Sequence, residues 1–266
     1  MNMIFTNLIE ANLKTITIGK YIEYYTHLES TNNEAWEIIN DGAESGTLII
    51  TDNQTSGKGR NGNDWKSKSG KSLTFSLIYK PELIPIERIG ILSILAGISV
   101  IDGLRELNIN GGLKWPNDII LNKKKIGGVL CETKIQNEII EWIVIGIGIN
   151  VNESEDDLDS NIVNNASSLF IELGQNTQRE RVVANILNNM ELLLKQFEND
   201  PNNFDISEDW NNYCIHNNIE VSFQKNNTIH NGIFKNITKD GACIIEVNDM
   251  NRNYTGEAIK NLQILM

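Results

Sequence analysis

Residues 56–65 read SGKGRNGNDW, and within them Gly57, Gly59 and Gly62 fall on the G-x-G-x-x-G spacing of a dinucleotide-binding fingerprint. That fingerprint has physical meaning only between a strand and a helix, because the pyrophosphate sits on the helix N-terminus. A strand does precede it: TLIIT, from Thr47 to Thr51, is a short β-branched run. No helix follows. NDWKSKSGKS is polar and lacks apolar residues at three- and four-residue spacing, and LTFSLIY then alternates as a strand does. The stretch is a glycine-rich loop between two strands, which removes a Rossmann unit and leaves an anion site open.

Outward from the loop, helical and strand patterns mix. Thr31-x-x-Glu34 reads as a capping box ahead of Ala35, Trp36, Ile38 and Ile39, predicting a helix from Thr31 after the strand-like YIEYYTHLE. Leu92, Leu95, Ile98, Ile101 and Leu104 predict a second helix over 89–107. From Gly112 to Val151 the chain reads as successive strands with polar turns at 122–124 and 136–137, antiparallel because such connections are too short for a crossover. NESEDDLD, residues 152–159, is expected to be a mobile, solvated linker. A helix follows over about 178–197, then a short one, and from Ile219 short strands with turns at KNN and KDG have the spacing of a small β-barrel. The expectation is an α+β fold. Residues 1–213 would form a mixed, mainly antiparallel sheet flanked by helices, and 214–266 a barrel.

Composition narrows the function. A net charge of -12 over 266 residues argues against general nucleic-acid binding, which demands a basic face. No window reaches the apolar length of a membrane span and the N-terminus has no signal pattern, so no membrane partner and a cytoplasmic location are expected. Three cysteines and three histidines are scattered, without the spacing of a disulfide framework or a zinc site. The charge is uneven, however. Lys58, Arg60, Lys66, Lys68 and Lys71 stand against Asp64 alone, and Lys123–Lys125 form a second basic cluster. Each cluster alone reads as a solvated turn; two in an acidic protein, one glycine-rich, point toward a confined anion site.

Four segments then come together: ESTNNEAW at 29–36, QTSGKGRNGNDW at 54–65, KWPNDI at 114–119, and KKIGGVLCE with GIGINVN at 124–132 and 146–152. In this order they resemble biotin protein ligases, from about Tyr21 through the C-terminal barrel. The resemblance implies a class II synthetase-like core with an SH3-like C-terminal barrel. It also implies ATP-dependent activation of biotin to biotinyl-5′-AMP and transfer to a lysine of a biotin carboxyl carrier protein or domain. ATP and magnesium would be the cofactors, with the magnesium ligands unknown. About twenty residues precede the match, too few for the DNA-binding domain of the repressor-type ligases, so the monofunctional form is expected, with a homodimer left open.

By the same resemblance Ser30, Thr31, Asn32 and Gln54 would meet the biotin ureido group, a compact donor and acceptor pattern suited to hydroxyls and amides. Gly57, Lys58, Gly59 and Arg60 would close around the anions with backbone N–H groups and charge. Lys125 would bridge the biotin carboxylate and the phosphate, with Gly127 and Gly128 marking either close backbone approach or a β-bulge. Lys58, Arg60, Trp65, Asn117, Lys125 and Asn150 would border the nucleotide. Asp118 would face nucleotide, magnesium or the incoming lysine, so that Lys125, Arg60 and Asp118 form the implied catalytic set. The family pattern G-R-G-R-x-G-R-x-W is altered here: Lys58 replaces the first arginine and Asn63 the third. Lysine keeps charge but loses the bidentate fork. Two rival functions stay open: a lipoate-type acyl-adenylate ligase, and a non-catalytic biotin or nucleotide sensor.

Overall fold

The computed structural model describes residues 3–159 and 165–265. Its main sheet uses β1 (Ile22–Tyr25), β2 (Leu48–Thr51), β5 (Leu73–Tyr79), β6 (Gly112–Lys114), β7 (Asp118–Leu121), β8 (Lys124–Gln136) and β9 (Ile139–Ile149), while β3 (Gly57–Lys58) and β4 (Asp64–Trp65) form a separate hairpin. The spatial order is β1-β2-β5-β9-β8-β7-β6. Only β1 and β2 run parallel; the other neighbours are antiparallel. The loop that excluded a Rossmann unit is thus the connection from β2 to β5.

Side chains alternate across this sheet and split its covering into two layers. Ile49, Ile78 and Val144 face Ala35 and Ile39 of α2 (Thr31–Asn40). Leu48, Ile50, Phe75, Leu77, Ile145 and Ile147 join the larger core, which takes in α3 (Ile91–Arg105) and α5 (Arg179–Asn199). With both faces covered, β2 and β5 are buried throughout, which is why they read as continuous apolar runs. Among the described residues there are three shorter helices, α1 (Thr6–Glu10), α4 (Leu169–Leu173) and α6 (Ser207–Tyr213). None of the described helices is long and apolar enough to cross a membrane.

The C-terminal sheet has β10 (Glu220–Lys225), β11 (Thr228–Ile237), β12 (Cys243–Val247), β13 (Met250–Tyr254) and β14 (Lys260–Ile264), in the antiparallel order β13-β12-β11-β10-β14. It is consistent with the expected SH3-like unit. Phe223, Phe234 and Ile245 share the main hydrophobic core, and Trp210 of α6 packs 5.7 Å from Phe234. Arg88 holds the junction: its guanidinium donates to the carbonyls of Pro201, Phe204 and Lys239 and pairs with Asp240 at 3.2 Å. Buried Trp115 adds a 3.0 Å bond from Nε1 to the Gly241 carbonyl.

Four hairpins turn on two residues with positive φ: Asn122-Lys123, Asn137-Glu138, Asn226-Asn227 and Asn248-Asp249. Two-residue loops that match strand twist require this conformation, and asparagine tolerates it better than other side chains. Asparagine at these four turns is therefore turn chemistry.

Candidate active site

A cavity of about 360 Å³ opens beside the glycine-rich loop, within the range of small-molecule sites. Ser30, Thr31, Asn32 and Gln54 line it, as do Lys58, Gly59, Arg60 and Trp65, and then Asn117, Asp118, Lys125 and Gly128. Twelve predicted positions separated by up to 98 residues in sequence (Ser30 to Gly128) thus meet in one concavity.

At the start of α2 the local expectation fails informatively. Ser30, not Thr31, occupies the N-cap, and no side chain caps the helix. Glu34 instead accepts from the Tyr25 hydroxyl at 2.9 Å. Freed from capping, Thr31 turns inward: its backbone N–H donates to Gln54 Oε1 at 2.8 Å, and its hydroxyl stands 2.7 Å from Ser76 Oγ. Ser76 Oγ also lies 2.6 Å from Asn32 Oδ1, while Asn32 Nδ2 donates to Glu132 Oε2 at 2.8 Å. Ser30, Thr31, Asn32 and Gln54 are all more than nine-tenths buried, which limits their freedom to reorient.

The glycines have steric reasons. A Cβ on Gly57 would stand 2.3 Å from Gln54 Nε2 and 2.4 Å from the Trp65 carbonyl. Gly57 therefore packs under Gln54 and does not itself line the cavity. In GIGIN, a Cβ on Gly146 would meet Asn32 Oδ1 at 2.2 Å and one on Gly148 would meet the Trp65 ring at 2.4 Å. These two glycines clear seats for side chains of the site. Between β3 and β4 a 3₁₀ turn at Arg60–Gly62 carries Asn61 at φ 57°.

Only part of the loop's positive charge reaches the cavity. Lys58 Nζ donates to Asn33 Oδ1 at 2.7 Å, and Arg60 lies against Gly256, where a Cβ would be 2.5 Å from its Nη2. Lys66 pairs with Asp159, and Lys68 and Lys71 pair with Asp157. Residues 152–159 are accordingly not a plain solvated linker. They contain a 3₁₀ turn at Glu155–Asp157 with a Ser154/Asp157 capping box, and Glu153 is buried with Ser72 donating to it.

On the opposite part of the sheet, Lys125 Nζ lies 2.5 Å from Asp118 Oδ1 across the β7–β8 pair. Ile119 pairs with Gly127 but Ile120 with Lys125, so Ile126 is an extra residue in β8. The two readings of the paired glycines thus divide between the positions. Gly127 adjoins the bulge, packed where a Cβ would be 2.7 Å from the Gly148 carbonyl, and Gly128 lines the cavity. Asn117 Nδ2 donates to the Val129 carbonyl at 2.7 Å. Asn150 departs from expectation: it is buried outside the cavity lining, its Nδ2 donating to the Ser167 carbonyl at 2.9 Å.

Sequence reasoning passed over Lys114, a second cation in the cavity wall. Burial pushes its amine pKa below the usual lysine range, neighbouring Asp118 opposes this, and Lys125 reinforces it. A half-buried cation in the wall favours an anion in the cavity. Also missed were Ser76, which reaches the cavity through other side chains, Glu132, which bonds to Asn32 and lines an adjoining cavity shared with Gln54, Lys58 and Arg60, and residues 259–263, which bring the start of β14 to the cavity. Among the described residues no three His, Cys, Asp or Glu side chains converge as a metal site.

Residues 24–150 match the Biotin/lipoate A/B protein ligase family. The bifunctional ligase/repressor BirA of Bacillus subtilis is 37% identical over 180 residues, covering 67% of this chain and 55% of that protein. The chain thus spans about half the length of that relative. A biotin–[acetyl-CoA-carboxylase] ligase of Mycobacterium tuberculosis is 28% identical over 201 residues, 71% of this chain and 72% of that one. The biotin protein ligase of Aquifex aeolicus, solved with biotin and ATP, superposes with a TM-score of 0.79 at 26% identity, over 92% of this chain and all of that one. The fold and the relatives agree with the match of residues 24–150 to the biotin/lipoate A/B protein ligase family.

Proposed function

We propose that the chain is a biotin protein ligase, using ATP to form biotinyl-5′-AMP and passing biotin to a lysine of a carboxylase carrier domain. The observation that carries this reading is a single cavity combining a buried donor and acceptor network around Thr31, Asn32 and Gln54 with the cations Lys58, Arg60, Lys114 and Lys125. The first step joins two anions: a biotin carboxylate oxygen bonds to the α-phosphorus and the bond to the β-phosphate oxygen breaks, releasing pyrophosphate. Fixed cations and backbone N–H groups offset the repulsion and the charge that develops. Lys125 is held ready by Asp118 and exchanges that partner for the reacting oxygens. In the second step the carrier amine bonds to the acyl carbon and AMP leaves; Asp118, released from Lys125, is the carboxylate at hand to take the amine's proton.

Residues 1–213 would supply this chemistry and 214–266 the wall containing Lys260. Magnesium would arrive on the nucleotide's phosphates, the usual mode for an ion that binds through one or two carboxylates plus substrate; Asp118 is the carboxylate placed to face it. The reading leaves a homodimer open, and β1 is an end strand of the main sheet among the described residues. The acidic balance argues against a nucleic-acid partner and suits a cytoplasmic enzyme. Pyrophosphate exchange into ATP that depends on biotin and not on lipoate is the expected result. Exchange driven by lipoate would select the other branch of the family, and no exchange with either would select a sensor.

A further inference from the structure

The polar part of the cavity has a direction of hydrogen-bond donation that is set from outside it. Glu132 on β8 is not in the cavity wall, yet its Oε2 accepts from Asn32 Nδ2 at 2.8 Å and from Trp36 Nε1 at 3.2 Å. A carboxylate facing two N–H groups accepts only, so Asn32 must turn Nδ2 toward it and Oδ1 toward Ser76. Ser76 Oγ stands 2.6 Å from that Oδ1 and 2.7 Å from Thr31 Oγ1. Its one hydrogen goes to the amide oxygen, which cannot donate. The Thr31 hydroxyl hydrogen is then held inside the network, between Ser76 Oγ at 2.7 Å and Gln54 Oε1 at 3.3 Å, and Thr31 Oγ1 keeps its capacity to accept. At the other end, the Thr31 backbone N–H claims Gln54 Oε1 at 2.8 Å, which turns Gln54 Nε2 away. Among the described residues Nε2 donates to no protein group.

We propose that Glu132 is a positioning residue for ligand specificity: through Asn32 and Ser76 it fixes Thr31 Oγ1 as an acceptor beside the donor Gln54 Nε2, the complement of a cyclic urea's adjacent N–H and C=O. This rests on the biotin reading above and deepens it. The relay predicts what the cavity rejects. A ligand with an acceptor where the urea has N–H would face lone pairs on Thr31, leaving buried groups unpaired.

The test compares equilibrium binding of biotin with that of its two cyclic carbamate analogues, in which one or the other ureido N–H is replaced by a ring oxygen. The wild-type chain should prefer biotin over the weaker analogue by about tenfold or more, the effect of one mismatched buried hydrogen bond. Glu132→Met and Ser76→Ala should bring that ratio to within about threefold, because the Thr31 hydrogen is then held by the long 3.3 Å contact to Gln54 Oε1 and can turn to the ligand. Glu132→Gln should keep the wild-type ratio, since Trp36 Nε1 still demands an acceptor there. Ser76→Ala, a small internal change, decides the matter if Glu132→Met does not fold. Biotin binding by the wild type, together with equal weakening of biotin and analogue in the variants, would overturn the relay and leave the function intact. Absence of biotin binding to the wild type would overturn both.

Discussion

Replacing Asp157 by asparagine should loosen the join between the acidic segment and the root of the glycine-rich loop. Asp157 is 10% exposed, pairs with Lys71 and, at 3.4 Å, with Lys68, and accepts from the Ser154 N–H at 2.9 Å and hydroxyl at 2.7 Å. Burial would raise its carboxyl pKa; hydrogen bonds from Lys71, Ser154 and Lys68 outweigh that and hold it well below the usual carboxylate range. Asparagine is the same size and keeps an oxygen for Ser154, so the loss is confined to charge. The lysines are 40% and 52% exposed, which limits the screened pairs to about 1 kcal/mol. Weakening the charge-assisted bonds from Ser154 adds about 1 kcal/mol at most. A total of about 1–2 kcal/mol raises the open population about 5- to 30-fold.

Hydrogen exchange at the Asn152 and Asp157 amides reads this directly, since they donate to the carbonyls of Lys71 and Ser154. Raised salt should move the wild type part of the way toward the variant. Equal exchange in both proteins at low salt would refute the join, returning residues 152–159 to the solvated linker suggested by their composition.

Lys125→Ala should lower adenylate formation by about 10² to 10³ without changing the melting temperature, because its side chain is 40% exposed and acts at the bond being made; pyrophosphate release checks it. Arg60→Gly should still form biotinyl-5′-AMP but release it faster, seen as a shorter dwell time and increased labelling of a bystander protein. Residues 55–71 should exchange amide hydrogens more slowly with biotin and nucleotide bound than without, as anions supply contacts this polar segment lacks. Glu191 sets an acid limit on stability. Burial would raise its pKa, but bonds from Lys195 and the N–H groups of Ile16, Ile18 and Thr17 bring it to about 2 from 4.5. Its contribution is therefore complete above about 4.5 and fades as pH falls toward about 2. Glu191→Gln should cost about 1–3 kcal/mol near neutrality and flatten the acid limb of a denaturation series.

Periodicity and turn chemistry made most of the fold legible. The strand after the glycine-rich loop, the helix marked by Leu92 to Leu104 and the hairpins from Gly112 onward occur as expected because each is a local pattern backed by burial. The five-residue helices α1 and α4 carry too few turns to display a period. At the site, residue types were legible but their partners were not. Thr31 reads as a cap locally, yet is claimed by Gln54 and Ser76, 23 and 45 residues away. The cations Lys66 and Lys71 resemble ligands for an anion until the fold brings Asp159 and Asp157 to them from 93 and 86 residues away. Asn150 sits in a motif whose spacing is right, but its amide is spent on the Ser167 carbonyl.

The most direct test incubates the chain with biotin, MgATP and a biotin carboxyl carrier domain and reads the acceptor by intact mass, with lipoate and ATP-free controls. The account predicts one biotinyl group on a single acceptor lysine, formed only when biotin and ATP are both present. An unmodified carrier under these conditions, or a lipoyl adduct in place of the biotinyl one, would contradict it.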